Sequence, residues 1–456
     1  MPNRDDEGTP DQGDEHTGLL DHGGGARKIV SYPAMRAVPI AFLVSLGIHM
    51  TATSIVWAFA YLSCEDPNNC KPDESRTYAG SVAAATTLAN TAGLLSLGYM
   101  KQCVQWNVRF SLVLSIFCRA LGVLGVFCGV LFHAFPCALI GQILQGLASD
   151  NLLHYILNSI YVHSESPATT SRLMGTSLAC YMMGMSVGPL TASWVPFVHW
   201  TFVLAIGTFL ITIAYVLIAI PPIRKTEEPA TSALVPSAGL ATFLSPLRFF
   251  RDYPTAIFFG LSLFLYNTVQ GYLVNLIFIF TSVQLHYTPK DNGTLLSLIA
   301  ITAAGYLMSI SFILPKLARE KQIPLWLDLG AATISLLGQA GAALLLTQSQ
   351  QVYLAASLTA IGLATPSFVR SLVITQLEAA KSQAVAGLTV METAGGLLSP
   401  VVLGRWQAAD PGVSAFYGVA GILIGSLGCL MMGAWASTRT WTWRIPSLSR
   451  RRSDCV

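Results

Sequence analysis

Long apolar runs, separated by short polar segments, occupy most of the chain. A helix needs about 20 apolar residues to cross the hydrocarbon core of a bilayer. Twelve runs meet that length: residues 37–62, 78–99, 109–132, 135–161, 174–196, 200–221, 254–282, 294–314, 325–346, 352–375, 383–404 and 413–436. The pattern predicts an all-α membrane protein with twelve transmembrane helices, numbered here as spans one to twelve. The longest internal polar connection, residues 222–253, contains RKTEEPATSALVPSAG and falls between spans six and seven. It reads as a linker between two six-helix bundles, residues 37–221 and 254–436. Residues 1–36 and 437–456 then form terminal tails, the second of them basic. The first 28 residues are acidic and Gly-rich and lack the apolar core of a cleavable signal, so a disordered cytosolic tail is expected. Within it, EHTGLL (Glu15 to Leu20) reads either as an acidic dileucine-type sorting signal or as plain solvated tail.

Composition strengthens the membrane assignment. Of 456 residues, 53% are hydrophobic and 11% charged, against about 25% charged in soluble domains. Mean hydropathy is +0.57. The net charge of +3 matters less than where the basic residues fall. With both termini inside, the cytosolic segments hold Arg27, Lys28, Arg36, Lys101, Arg109, Arg172, Arg224, Lys225, Arg248, Arg251, Lys316, Arg319, Lys321, Lys381 and five arginines after residue 438. The external loops hold Lys71, Arg76, Lys290 and Arg405. That asymmetry predicts cytosolic termini, with the plasma membrane and a vacuolar or endosomal membrane both open. Of nine cysteines, Cys64 and Cys70 in CEDPNNC lie in an external polar loop and are candidates for a small disulfide. Asn292-Gly293-Thr294 is an external sequon, making Asn292 a candidate for N-glycosylation. The chain has no phosphate-binding G-x4-G-K-[ST] loop and no Cys/His metal spacing. It is expected to be neither an enzyme nor a nucleic-acid binder, to need no cofactor or metal, and to require no oligomer.

The halves echo one another. Gly146-Leu147-Ala148-Ser149 in span four recurs as Gly362-Leu363-Ala364-Thr365 in span ten, an offset of 216. Span five carries Gly175, Gly184, Gly188 and Pro189; span eleven carries Gly387, Gly396 and Pro400, an offset of 212 from the first glycine. Two ordered matches point to a six-plus-six duplication. The segment GTSLACYMMGMSVGPLTAS resembles the antiporter motif of the major facilitator superfamily, G-x8-G-x3-G-P-x2-G-G. Gly175, Gly184, Gly188 and Pro189 match, and Ala192 and Ser193 stand where the last two glycines are expected. Gln145 and Gly146 match the end of the span-four motif R-x-x-Q-G, with Gln142 at the arginine position. After span two, GYMKQCVQWNVR keeps Gly98, Lys101 and Arg109 of a G-x3-D-R-x-G-R-R pattern without its acidic residue. The resemblance implies a major facilitator fold, nearest to the drug:proton antiporter branch. Physically, glycines at this spacing let helices approach closely, and a proline inside a helix can bend it.

Ionisable residues inside spans are costly and usually face a bundle interior or a wet cavity. At ~1.5 Å per residue, Arg119 of span three and Asp150 of span four lie at one level, which predicts an ion pair. His49, His154 and Glu392 fall close to that level. Gln142, Gly146, Asp150, His154 and Asn158 recur every four residues, tracing one polar ridge along span four. Asp150, with His154 or Glu392, is the expected proton carrier, and Arg119 tunes it; His49 is either a packing residue or a further relay. Glu392 shares a face with Gly396 and Ser399 and is alternatively a helix-interface bond. Span seven contributes Asn267, Gln270, Tyr272 and Asn275. With Trp57, Gln142 and Asn158, the first three are expected to line a cavity for a partly apolar solute. Arg370 is expected to snorkel or to pair with Glu378, with binding of an anionic group from the cavity as the alternative. The expected function is secondary active transport of a small organic solute by alternating access, in the direction of proton-coupled efflux. Proton symport or uniport on the same fold is an alternative, as is a receptor or scaffold that moves nothing.

Overall fold

The computed structural model describes residues 31–67, 69–162, 167–221, 245–321, 324–348, 351–376 and 381–442. EHTGLL, residues 222–244 of the linker and Glu378 lie outside the described residues, and the linker ends in two short helical turns, Ser245–Arg248 and Phe249–Asp252. Among the described residues, fourteen longer helices carry the architecture. The first seven are α1 (Ser31–Ser63), α2 (Pro72–Trp106), α3 (Val108–Leu131), α4 (Phe135–Leu147), α5 (Asp150–Val162), α6 (Pro167–Trp194) and α7 (Val198–Ala219). The second seven are α8 (Ala256–Gln284), α9 (Pro289–Lys321), α10 (Pro324–Leu346), α11 (Val352–Gly362), α12 (Thr365–Gln376), α13 (Lys381–Ser399) and α14 (Ser414–Thr442). After α13 the rod continues through a π turn (Pro400–Gly404) into one helical turn (Arg405–Ala409). The described residues contain no strand.

Local sequence fixes several of these starts. At α2, Glu74 accepts from the Lys71 amide at 3.1 Å, with Pro72 in the first turn. At α3, the Asn107 side chain accepts from the Phe110 amide at 3.1 Å. At α9, Thr288 and Asp291 bond reciprocally through side chains and amides.

Eight helical stretches among the described residues are long and apolar enough to cross a membrane. This differs from the twelve uniform runs read in the sequence. The rods that fall short are α2, α4–α5, α6 and α9, and the cause is visible in each. Rod α4–α5 is interrupted, and the other three carry charges or dense Gly, Ser and Thr along their length.

The same neighbours recur in both halves. In the first, α1 packs on α6 and α7, and α3 on α4 and α7; in the second, α8 packs on α13 and α14, and α10 on α11 and α14. The repeated segments GLAS and GLAT mark equivalent breaks, α4 to α5 and α11 to α12. Between halves, contact concentrates at the face opposite the chain termini. There α6 meets α9, where a Cβ on Gly293 would lie 3.1 Å from the Pro189 carbonyl oxygen. On the other side α2 meets the end of the α13 rod, where a Cβ on Gly404 would lie 2.3 Å from that of Ala83.

That same face carries a bond between Cys64 and Cys70, Cα atoms 5.4 Å apart, closing a loop with a sequence separation of 6. In it Lys71 donates to Glu65 at 2.5 Å, and that bond holds the exposed Glu65 carboxyl below its usual range. So short a cross-link limits the unfolded chain modestly, by about 2 kcal/mol. Reduction, or Cys64→Ala with Cys70→Ala, should lower the thermal midpoint by that increment without abolishing folding. An unchanged midpoint would show that the loop adds nothing to stability.

Candidate functional site: two broken helices and a cavity between the halves

The first centre forms where span four breaks. Gly146 lies against α2 so closely that a Cβ would sit 2.1 Å from the Ala89 carbonyl oxygen. The Ala148 amide turns back to the Gln145 oxygen at 3.2 Å, and Ser96 Oγ donates to the freed Leu147 carbonyl at 2.9 Å. Asp150 then opens α5, where a carboxylate is favoured by the helix dipole. Its Oδ1 accepts from Arg119 Nη2 at 2.8 Å; the Arg119 side chain is 6% exposed and that of Asp150 is 47% exposed. The Tyr181 hydroxyl of α6 also reaches Asp150. The Tyr181 ring meets His49 edge-on at 5.8 Å and His154 at 4.8 Å. His49 Nδ1 lies 2.8 Å from the Ser45 carbonyl oxygen, and Ser45 Oγ donates to the Tyr181 carbonyl at 2.6 Å. Helices α1, α3, α5 and α6 thus bring His49, Arg119, Asp150 and His154 together around Tyr181, which reads as one more apolar residue in the glycine motif. That motif packs backbone on backbone: a Cβ on Gly184 would sit 2.5 Å from the Phe42 oxygen, and one on Gly188 2.9 Å from the Leu46 oxygen. Pro189 is buried, and nothing is described of the surroundings of Gly175.

The second centre forms at the equivalent break. The Gly362 carbonyl accepts from Tyr266 Oη at 2.8 Å, and Gln270 Nε2 donates to that hydroxyl at 2.7 Å. Arg370, at the repeat position of His154 (154 + 216), donates to Glu392. Asn267 Nδ2 donates to the Glu392 backbone oxygen at 3.0 Å. Arg370 thus pairs with an acid other than the one expected, and Glu392 makes the cross-helix bond that was the alternative reading for it. Asp328, a 6% exposed acid the sequence reading passed over, accepts from Ser371 Oγ at 2.6 Å.

A cavity of about 180 Å³ lies between the halves, walled by α1, α2 and α4 of the first half and α8 of the second. Nine lining residues are apolar, among them Ile48, Phe59 and Phe278; the four polar ones are Thr86, Gln142, Gln145 and Asn275. Asn275 Nδ2 donates to Thr86 Oγ1 at 3.1 Å, bonding one half to the other at the cavity wall.

Of the six residues expected to line a cavity, Gln142 is the one in the wall of this cavity. Trp57 stacks on Tyr61 at 5.2 Å and meets His199 at 6.3 Å, away from that wall. Tyr272 is 1% exposed and packs beside Gly404. Asn267 and Gln270 are committed to the second centre. Asn158 is half-buried on α5, beyond the break. Thr86 carried no sequence signal, because a threonine in AAATT is an ordinary helix residue. Asn275 had one: it lies five residues past Gln270 on the same polar stretch. The glycosylation expectation also changes. Asn292 is 4% exposed, accepts from Thr281 and donates to Ser282, so its amide is turned inward.

Residues 37–401 match the sequence model of the family described as Major Facilitator Superfamily. The chain belongs to that superfamily. No curated protein matches it. Among solved structures, the nucleoside transporter NupG is similar with a TM-score of 0.60 at 15% identity, over 90% of this chain and 99% of that one. The human organic anion transporter MFSD10 (TETRAN) gives 0.57 at 15% identity, over 88% and 98%. A POT family transporter in complex with 5-aminolevulinic acid gives 0.60 at 11% identity, over 89% and 96%. At such identities the likeness establishes a major facilitator fold and leaves the solute to be argued from this chain's own residues. The superfamily assignment makes the chain a multi-pass membrane protein of a transporter family.

Proposed function

We propose that the chain is a secondary active transporter that moves a small organic solute by alternating access and couples its export to inward proton movement. In this reading the α4–α5 and α11–α12 pairs are broken rods, so the fourteen helices make twelve crossings in two bundles, residues 37–221 and 254–436, joined by the linker 222–253. The distribution of basic residues favours cytosolic termini, and with that orientation the face where contact between the halves concentrates is the outer one.

The observation that carries the proposal is a cavity shared by both halves, beside inter-half contacts concentrated toward one face. A bundle pair closed at one face can rock about such a site. The Asp150 centre supplies the coupling. A proton on Asp150 removes the charge that holds Arg119, and the two groups sit on α5 and α3, so protonation changes how the broken rod is anchored. His154 and His49 lie against the same tyrosine and serve as relays. The glycine motif of α6 favours antiport over symport.

In vesicles with an imposed pH gradient, Asp150→Asn should lose gradient-driven flux by about tenfold or more, since general proton-transfer groups contribute on the order of 10²–10⁴. Wild-type flux in the mutant would remove Asp150 as the carrier.

A further inference from the structure

We infer that the solute taken by the inter-half cavity is electrically neutral, with an apolar body and hydrogen-bond acceptors such as carbonyl, ether or ring-nitrogen atoms. This rests on the transporter reading and adds the class of solute to it. None of the thirteen lining residues is ionisable. A net charge moved from water into that wall would meet no countercharge, at a cost of several kcal/mol. The two ion pairs described above are each matched internally, Arg119 by Asp150 and Arg370 by Glu392.

The polar groups of the wall point to acceptors on the solute. The Nε2 atoms of Gln142 and Gln145 are buried and have no hydrogen-bond partner. A buried donor left in that state is costly, and an acceptor on a ligand would satisfy it. Asn275 is a third donor, bonded to Thr86 across the halves. A solute acceptor that takes the Asn275 amide releases Thr86, so occupancy loosens a bond between the halves. Neutrality and acceptor content thus follow from the same four side chains, and the apolar body from the other nine.

Three probes of one shape separate the cases: benzamide, neutral; benzoate, anionic; and benzamidinium, cationic. Binding to the full-length chain in detergent is measured by titrated thermal shift. Benzamide should bind at least about tenfold more tightly than either ion. Gln142→Leu and, separately, Asn275→Leu should each weaken benzamide about tenfold, with the ligand-free midpoint as the check on folding. Benzoate or benzamidinium binding as tightly as benzamide with the same sensitivity to Gln142 would overturn the inference, as would no benzamide binding. Vesicle counterflow keeps the two readings apart. Benzamide bound in the cavity, with no solute counterflow, would reject transport and leave the neutral site standing. Gradient-driven flux of a charged solute, lost in Gln142→Leu, would keep transport and reject neutrality.

Discussion

Asp150→Ala is expected to destabilise the chain by about 3–5 kcal/mol, whereas Arg119→Leu should cost only about 1–2 kcal/mol. The two residues form one pair, so a symmetric loss would be the simple expectation. Two physical differences break the symmetry. Arg119 is 6% exposed and Asp150 is 47% exposed, so deleting the acid strands a buried cation while deleting the base leaves a carboxylate with access to solvent. A guanidinium also cannot shed its charge in a protein, whereas a carboxylate can take a proton. The double substitution Arg119→Leu with Asp150→Leu removes both charges and should recover most of the loss caused by Asp150→Ala. Denaturation in detergent, scored by size-exclusion recovery against temperature, measures all three. If Arg119→Leu proved the more damaging single change, the pair would not be organised around a buried arginine.

This pair was legible in the sequence, and the reason is geometric. Rise per residue alone sets the depth of Arg119 and Asp150 on neighbouring antiparallel rods. What failed was the reading built on a continuous helix. The ridge Gln142, Gly146, Asp150, His154 and Asn158 has a perfect spacing, but the backbone breaks after Leu147. Gln142 and Gln145 therefore face the cavity, and Asp150 and His154 join a different set of partners. The repeated GLAS and GLAT pointed to equivalent places without revealing that both are breaks. That information resides in tertiary contacts, such as Gly146 on Ala89 and Ser96 on the Leu147 carbonyl. Likewise, Glu392 is 22 residues from Arg370 along the chain, and the packing of α12 against α13 brings the two together. Tyr181 and Thr86 were invisible because their residue types are ordinary in a helix; their roles come from what lies opposite.

The glycine pattern gives the sharpest contrast between spacing and packing. By spacing, Gly396 is the partner of Gly184 in the duplicated motif (184 + 212). By packing, the close approach falls on its neighbour. A Cβ on Gly395 would sit 2.2 Å from the Phe264 carbonyl oxygen and 3.1 Å from the Thr268 amide nitrogen, both backbone atoms of α8. A Cβ on Gly396 would meet nothing within 4 Å. Gly395→Ala should therefore force α13 off α8, at a cost of about 1–3 kcal/mol. Gly396→Ala should be neutral or stabilising by about 0.5–1 kcal/mol, the ordinary gain for a helix interior. The consequence reaches the second centre, since Glu392 lies one turn before Gly395 and its backbone oxygen is held by Asn267 of the displaced α8. In vesicles, Gly395→Ala should lose flux beyond what its reduced folding explains, while Gly396→Ala keeps it. Equal effects of the two adjacent substitutions, on stability or on flux, would mean that the α8–α13 seam is not where the second half closes on itself.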